Sequence, residues 1–176
     1  MRFLPMNIAG AFVLESMPIR DERGAFSRIY CRDQMETAGL PFTCMQLNLS
    51  SNPARGTLRG LHYQDPPCEE AKIVRAVRGC AFDVVLDLRK GSATYLEWAA
   101  LVLDADQANG VFIPEGCAHG FLTLADHTDL IYQMSRLHVA GQSRGCRWND
   151  PAFRIDWPEQ PRIIGEADRT WPWFTN

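Results

Sequence analysis

The segment FDVVLDLR, residues 82–89, decides the fold class because its side chains follow the period of a β-strand. Phe82, Val84, Leu86 and Leu88 are apolar, whereas three of the four residues that alternate with them are charged. Successive side chains of a strand point to opposite faces, so this alternation predicts a strand with one face in a hydrophobic core. The chain is therefore expected to form a sheet.

Further short strands are predicted around this segment. Turn signals separate them, among them NG at 109–110 and PEG at 114–116. Many short strands at roughly 8–12-residue spacing are typical of an all-β sandwich, barrel or jelly roll. The further strands are predicted at residues 72–77, 97–103, 110–113, 120–124 and 129–135.

Two segments depart from the strand pattern. Residues 32–38 are predicted to form one or two helical turns that end at Gly39. The tail from Trp148 onward combines several prolines with four of the five tryptophans. Prolines interrupt regular structure, and so much aromatic surface is costly to leave in water. The tail is therefore predicted to be an irregular arm that packs against the barrel.

Composition narrows the class of protein. A chain of 176 residues supports one sizeable core, so a single domain over 1–176 is expected. The net charge of −3 without a long run of one sign argues against a nucleic-acid partner or a membrane surface. No stretch approaches the roughly 20 apolar residues that span a bilayer, and no signal-peptide pattern is present. Six cysteines without CxxC spacing indicate reduced thiols and a cytoplasmic location.

Two histidine motifs are the main functional signal. RGTLRGLHYQ at 55–64 contains His62, and IPEGCAHGF at 113–121 contains His119. Each histidine lies in a glycine-punctuated β context, and basic residues lie close by. Histidine titrates near neutral pH, so the pattern indicates a small-molecule site that moves protons next to negative charge.

The same motifs bear on metal binding. Pro114, Gly116 and His119 match the second motif of metal-binding cupin barrels. The first cupin motif would need a His-x-His pair, but this chain has HYQ at 62–64. With an amide in place of one imidazole, the usual ligand set of three histidines and a carboxylate cannot be assembled. No metal is expected, and a histidine free of ligation can be a general base.

These motifs, with several others, resemble the dTDP-4-dehydrorhamnose 3,5-epimerase family over nearly the whole chain. The resemblance implies a cupin-like double-stranded β-helix, or jelly roll, that forms a homodimer. It also implies an isomerase that epimerises C3 and C5 of a nucleotide-linked 4-keto-6-deoxyhexose in deoxysugar biosynthesis, without metal or organic cofactor. The segments that carry it are DERG at 21–24, residues 55–64, KIVR at 72–75, FDV at 82–84, DLR at 87–89, residues 113–121 and WNDP at 148–151.

The resemblance assigns roles in the proton transfer. A 4-keto group acidifies the hydrogens on C3 and C5, so a base on one ring face and an acid on the other can invert either centre through an enolate. By this resemblance His62 is the base and Asp168 the carboxylate that orients it. Tyr132 is the acid, Lys72 is the cation beside the enolate oxygen, and His119 is a further contact to the sugar.

Other positions match residues that bind the substrate in the family, and some positions carry a different residue from the one usual in the family. Arg23, Gln46, Asn48 and Arg59 match positions that hold the diphosphate and its sugar; a guanidinium suits phosphate because its geometry is bidentate. The chain has His138 where the family has a tyrosine that stacks on thymine. Further departures are Arg28, Ser143 and Ala167. His138 and Arg28 remain candidate contacts, and the nucleotide or sugar is hypothesised to differ from the usual one.

A parity argument adds a structural prediction. On a regular strand Arg59 and His62 would point to opposite faces. A bulge or kink at Gly60 is therefore predicted, which would let both side chains face one cavity.

Two other functions stay open from the sequence. One is a close relative that inverts a single centre, or isomerises the keto sugar, with a different nucleotide. The other is a non-catalytic protein that binds sugar nucleotides. The presence of the base, the acid and the cation together argues against this last alternative.

Overall fold

The computed structural model describes residues 1–175, which form short strands and two short helices. In chain order these are β1 (Arg2–Pro5), β2 (Phe12–Glu15), β3 (Ile19–Asp21), β4 (Gly24–Phe26), α1 (Arg32–Thr37), β5 (Gln46–Asn52), β6 (Thr57–Gln64), β7 (Lys72–Arg78), β8 (Cys80–Asp87), β9 (Trp98–Asp104), β10 (Gly110–Ile113), β11 (Cys117–Thr123), β12 (Thr128–Met134), β13 (Ser143–Gly145), β14 (Ile163–Ile164) and α2 (Glu166–Thr170). The predicted strands are found, with ends that differ by a few residues.

Most strands belong to two sheets. The first sheet has the strand order β1-β2-β10-β7-β12-β5, and the second sheet has the order β13-β6-β11-β8-β9, with β14 added to β6. Except for β14, which runs parallel to β6, the paired strands are antiparallel. Strands β3 and β4 form a separate hairpin. Two sheets built from strands that alternate between them make the jelly roll that the sequence predicts.

The main core lies between the two sheets. Val74 and Leu130 of the first sheet and Val85, Leu103 and Phe121 of the second sheet are almost fully buried in one cluster. Each buried aliphatic or aromatic side chain of this kind contributes about 1.5–3 kcal/mol to folding. The core occupies one part of the space between the sheets and leaves a cavity in the other.

The expectation of one buried face for β8 is wrong, because both faces are buried. Phe82, Val84 and Leu86 point away from the first sheet and pack beneath the C-terminal tail. Asp83 and Val85 point between the sheets, and Asp83 has no exposed surface. The period of two is correct, but the polar positions face the interior and not water.

The outer face of the first sheet is covered near its N-terminal edge. Met35 of α1 is fully buried against Leu14, Ile73 and Phe112. Residues 32–38 were expected to be helical, and α1 confirms this. Gly39, which follows with a φ of +73°, ends the helix in a conformation that glycine adopts without strain.

The C-terminal tail packs on the outer face of the second sheet, as its tryptophans predicted. The rings of Phe82 and Trp157 lie 5.9 Å apart, and the Trp157 indole donates a hydrogen bond of 2.8 Å to the carbonyl of Trp148. The expectation that the tail lacks regular structure is wrong in one part. It contains β14 and the single-turn helix α2, and α2 brings a carboxylate to the cavity.

Two expectations from composition can be compared with the structure. The six cysteines are free thiols. Among residues 1–175, no helix has the length and apolarity needed to cross a membrane. The single domain and the cytoplasmic location stay predictions.

Candidate active site

A cavity of about 530 Å³, lined mostly by residues with polar side chains, lies between the two sheets. Strands β5, β7 and β12 of the first sheet and β6 and β11 of the second sheet supply most of its wall. The sequence-predicted residues that line it are Gln46, Asn48, Arg59, His62, Lys72, His119, Tyr132 and His138. This set alone spans 92 positions of the chain, from Gln46 to His138.

His62 and Asp168 form a close pair at this cavity. The Oδ1 atom of Asp168 lies 2.5 Å from His62 Nε2. Asp168 also accepts hydrogen bonds from the Gly60 N–H at 3.0 Å and from the Trp171 indole at 3.3 Å. Burial alone would raise the pKa of Asp168, but the hydrogen bond and charge of His62, with the other donors, hold it below its usual value. The ionised carboxylate occupies Nε2 and leaves Nδ1 of His62 free to take a proton.

A bulge in β6 aligns His62 with Arg59. His62 pairs with His119 and Arg59 pairs with Phe121, so three steps along β6 correspond to two along β11. Gly60 lies in the bulge with a φ of +118°, and a Cβ added there would be 2.5 Å from Gly120 Cα. Only glycine fits this position without a shift. The bulge was predicted because Arg59 and His62 would point to opposite faces of a regular strand, and it is confirmed. It also turns the Gly60 N–H toward Asp168.

Lys72 enters the cavity from β7 and is almost fully buried. Its Nζ atom lies 3.1 Å from Glu70 Oε1 and donates a hydrogen bond of 3.2 Å to the carbonyl of His62. Glu70 is also buried and accepts a hydrogen bond from Gln64. The lysine is thus held at two points beside the residue that is the candidate base.

His119 forms a second imidazole–carboxylate pair, deeper in the protein. Its Nε2 atom lies 2.7 Å from Asp83 Oδ2, and both side chains are buried. Burial raises the pKa of Asp83, and the charge and hydrogen bond of His119 oppose this effect without cancelling it. The other oxygen of Asp83 has no hydrogen-bond partner within residues 1–175.

Tyr132 faces the cavity from β12. Its ring lies 5.7 Å from the His119 ring and 6.5 Å from that of Phe121. Burial, and then the charge of Asp83, raise the pKa of Tyr132 far above its ordinary value, although the charge of Arg59 opposes this. The phenol therefore keeps its proton at neutral pH, and its hydroxyl is available as a hydrogen-bond donor.

Polar residues surround another part of the cavity wall. Gln46 Nε2 donates to Asn48 Oδ1 at 2.9 Å, and the backbone N–H of His138 donates to Gln46 Oε1 at 3.0 Å. Arg59 Nε donates to Asn52 Oδ1 at 2.9 Å. Ser143 of β13 lines the same cavity. Amides, an imidazole and a guanidinium around one cavity suit a polar, anionic ligand.

Two predicted contacts do not line this cavity. Arg23 lies in the turn of the β3–β4 hairpin, where it pairs with Asp21 at 2.5 Å. Arg28 follows β4. The hairpin carries Ile19 and Phe26, whose exposed fractions are 71% and 73%. Within one chain, these arginines therefore lie apart from His62 and Lys72.

The sequence reasoning missed three residues that contact the predicted set. Asp83 stands at a polar position of the alternation in residues 82–89, where the sequence predicts a solvent-exposed carboxylate, so its burial had no signal in the sequence. Glu70 precedes Lys72 by two residues, and Trp171 follows Asp168 by three. These two also had no signal of their own, because only folding shows which way their side chains point.

The residues around the cavity do not form a metal site. Within residues 1–175, no group of three or more His, Cys, Asp or Glu side chains has the arrangement to hold a metal ion. Gln64, at the position of the missing cupin imidazole, directs its amide to Glu70 and Cys68. That the reaction needs no metal or cofactor stays a prediction.

Two facing sheets with a polar cavity between them place this chain in the class of cupin-like jelly-roll proteins. Comparison with known proteins narrows the class. The sequence model of the dTDP-4-dehydrorhamnose 3,5-epimerase family matches residues 5–176. The chain belongs to this family.

Individual relatives agree with the assignment. A dTDP-4-dehydrorhamnose 3,5-epimerase from Methanothermobacter thermautotrophicus is 40% identical over 97% of this chain and 92% of its own. A dTDP-4-dehydrorhamnose 3-epimerase from Streptomyces niveus is 37% identical over 96% and 82%. The Bacillus anthracis dTDP-4-dehydrorhamnose 3,5-epimerase, solved with TDP and PPi bound, superimposes with a TM-score of 0.95 at 35% identity, over 98% and 99%. The chain is an isomerase of the sugar-epimerase type.

Proposed function

We propose that this protein epimerises C3 and C5 of a nucleotide-linked 4-keto-6-deoxyhexose, of the dTDP-4-dehydro-6-deoxyglucose type, through an enolate and without a metal. The observation that carries the proposal is the joint presence of the His62–Asp168 pair, Tyr132 and Lys72 around one cavity. Core packing alone gives no reason for a base, a proton donor and a buried cation to converge.

The two proton-transferring groups come from opposite sheets. His62 belongs to β6 of the second sheet, and Tyr132 belongs to β12 of the first sheet. A sugar ring between them would meet a base on one face and an acid on the other, which is what inversion of a carbon centre requires. His62 removes the proton through Nδ1, and Tyr132 returns one to the opposite face.

Lys72 supplies positive charge for the intermediate. Loss of the C3 or C5 proton moves charge onto O4 of the sugar, and an ammonium already in place stabilises that oxyanion. The low-dielectric surroundings of a buried side chain strengthen this interaction relative to water. Because both enolates share the same oxygen, one lysine can serve both centres.

The remaining residues are proposed to bind the nucleotide. Gln46, Asn48, Arg59, His119 and His138 offer hydrogen bonds and charge to the sugar and the diphosphate. His138 and Ser143 replace residues usual in the family, so the hypothesis remains that the nucleotide or the sugar is not the usual one.

We also propose a homodimer. Strand β1 lies at one edge of the first sheet, where it can pair with a second subunit. The exposed Ile19 and Phe26 give the β3–β4 hairpin an apolar surface that a partner would cover. In such a dimer, Arg23 and Arg28 would reach the cavity of the other subunit. The cytoplasm is the proposed location.

Solvent deuterium labelling tests the proposed reaction. Incubation with a 4-keto-6-deoxy sugar nucleotide in D2O should place deuterium at C3 and C5. Label at one position would support the single-centre alternative, the activity that the name of the Streptomyces niveus relative states. No label would support a binding protein.

Two controls complete this experiment. His62→Ala should abolish exchange at both positions and leave nucleotide binding nearly intact, because the imidazole acts on the sugar; persisting exchange would show that another residue is the base. The same labelling with dTDP-, UDP-, GDP- and CDP-linked sugars tests whether the nucleotide differs from the usual one, which a clear preference for dTDP would contradict.

A further inference from the structure

A buried carboxylate without a role in the reaction above lies beside Lys72. Glu70 is only 5% exposed and lines the cavity. Its Oε1 atom lies 3.1 Å from Lys72 Nζ, and its Oε2 atom accepts a hydrogen bond of 2.5 Å from Gln64 Nε2. Burying a charge is costly unless the group is paired and hydrogen-bonded, and both oxygens of Glu70 have a partner.

The orientation of the Gln64 amide is fixed by groups other than Glu70. Its Oε1 atom accepts a hydrogen bond of 3.1 Å from the backbone N–H of Val139, and its Nε2 atom donates at 3.2 Å to the carbonyl of Cys68. A backbone N–H only donates and a carbonyl only accepts, so the NH2 group must face Glu70.

Glu70 therefore lies between two donors. The Gln64 amide donates from one side and the Lys72 ammonium donates from the other. A carboxylate can accept from both, whereas a glutamine in its place would turn its own NH2 group toward one of them. The geometry thus requires a carboxylate at this position and not merely a polar residue of the same size.

The contacts of Lys72 show what this arrangement achieves. Of its three N–H groups, one serves Glu70 and one serves the carbonyl of His62 at 3.2 Å. The third is available to a ligand in the cavity. Without Glu70, a flexible four-carbon side chain would keep a single contact and lose its fixed position.

We propose that Glu70 is a positioning residue that, anchored by Gln64, holds the Lys72 ammonium where the substrate's oxyanion develops. The catalytic part of this inference rests on the proposed function. The contacts among Glu70, Gln64 and Lys72 do not depend on it. A charge that is already in place costs no reorganisation at the moment of reaction, and small displacements of such groups lower rates steeply. Glu70 acts through Lys72 and does not contact the reacting atoms.

The kinetic test uses Glu70→Gln, which keeps the size of the side chain and removes one acceptor. We expect kcat to fall by roughly 10- to 100-fold while KM changes by less than about twofold. Deuterium incorporation at C3 and C5 should fall by the same factor, because both enolates share O4. Glu69→Gln makes the same charge change next to Glu70 at a residue that does not line the cavity; it should keep the wild-type rate. A wild-type rate for Glu70→Gln would overturn the inference.

A double-mutant cycle separates positioning from a general structural effect. If Glu70 acts through Lys72, the substitution Glu70→Gln should lower kcat in the wild-type background and cause no further loss in Lys72→Met. An equal loss in both backgrounds would show that Glu70 acts independently of the lysine, and would overturn the inference.

A spectroscopic test is independent of catalysis. The chain has two lysines, Lys72 and Lys90, and Lys90 is exposed. In protein labelled with ¹⁵N-lysine, the buried ammonium of Lys72 should give a slowly exchanging ¹H–¹⁵N signal, and Lys90 is the internal reference. Glu70→Gln should remove or shift the Lys72 signal and leave Lys90 unchanged; Glu69→Gln should change neither.

Together these readouts distinguish the two ways of failing. If no keto sugar nucleotide is turned over but the Lys72 signal depends on Glu70, the proposed function is wrong and the geometric arrangement stands. If the wild-type enzyme labels its substrate while Glu70→Gln leaves both kcat and the Lys72 signal unchanged, the proposed function stands and the positioning role is wrong.

Discussion

At the scale of single residues, the state of the His62 imidazole depends on Asp168. In Asp168→Asn, the amide oxygen can accept from the Gly60 N–H only if the NH2 group faces His62. Nε2 would then become the acceptor and Nδ1 would carry the proton, so the imidazole could no longer act as a base. We expect kcat to fall by about 100-fold or more, within the range for loss of general base catalysis. The exposed Asp156→Asn, in the same tail, is the control.

The same carboxylate makes stability depend on pH. The folded-state pKa of Asp168 is lowered, so its contribution to stability is present above the unfolded value near 3.8 and is lost as the pH falls through the folded value. At pH 7, Asp168→Asn should destabilise the protein by about 1.5–3 kcal/mol, the range for hydrogen bonds to a charged group. Urea unfolding should show that the difference in unfolding free energy between the wild type and the variant becomes smaller below about pH 4. A difference that stays constant between pH 7 and pH 3 would contradict the paired carboxylate.

At the scale of elements, the bulge in β6 is the feature on which the site depends. A Cβ at position 60 would meet backbone atoms of Gly120 and His119 at 2.5 and 2.8 Å, and the φ of +118° strains any other residue. Gly60→Ala should therefore cost about 1–3 kcal/mol and lower Tm by roughly 2–12 °C. It should also reduce activity, because Arg59 and His62 would no longer share a face.

A matched substitution separates this strain from the usual effect of replacing glycine. Gly91 has no atom within 4 Å of an added Cβ and no positive φ. Gly91→Ala should keep the Tm and activity of the wild type within experimental error. Equal losses in the two variants, measured by calorimetry and turnover, would show that the bulge does not require glycine.

Elements differed in how well the sequence predicted them. The period of two in β8 gave the strand correctly, and the parity conflict between Arg59 and His62 correctly predicted the bulge. The buried outer face of β8 was not predictable from local pattern, because the covering residues lie some 70 positions later, at Phe153 and Trp157. Helix α2 was missed because a single turn among prolines has too few residues to show a helical period.

At the scale of the whole molecule, the candidate site depends on contacts between distant segments. His62 and Asp168 are separated by 106 residues, and Asp83 and His119 by 36. No periodic pattern in the sequence indicates that such distant residues will pair. The family resemblance supplied the first pair, because it compares whole chains, and the second pair came only with the fold. Arg23 is the opposite case. The resemblance assigned it to the substrate site, but within one folded chain it does not line the cavity.

The last prediction concerns the assembly that would resolve the position of Arg23. If the hairpin of one subunit completes the cavity of the other, mixing Arg23→Ala with His62→Ala protein should restore activity. Each mixed dimer would contain one cavity with both residues intact, so equal mixing should recover roughly a quarter of the wild-type rate. Arg59→Ala mixed with His62→Ala is the control: both residues line one cavity within a chain, so every cavity stays defective. Recovery with Arg59→Ala but not with Arg23→Ala would contradict the proposed dimer, as would a wild-type protein that light scattering finds to be a monomer.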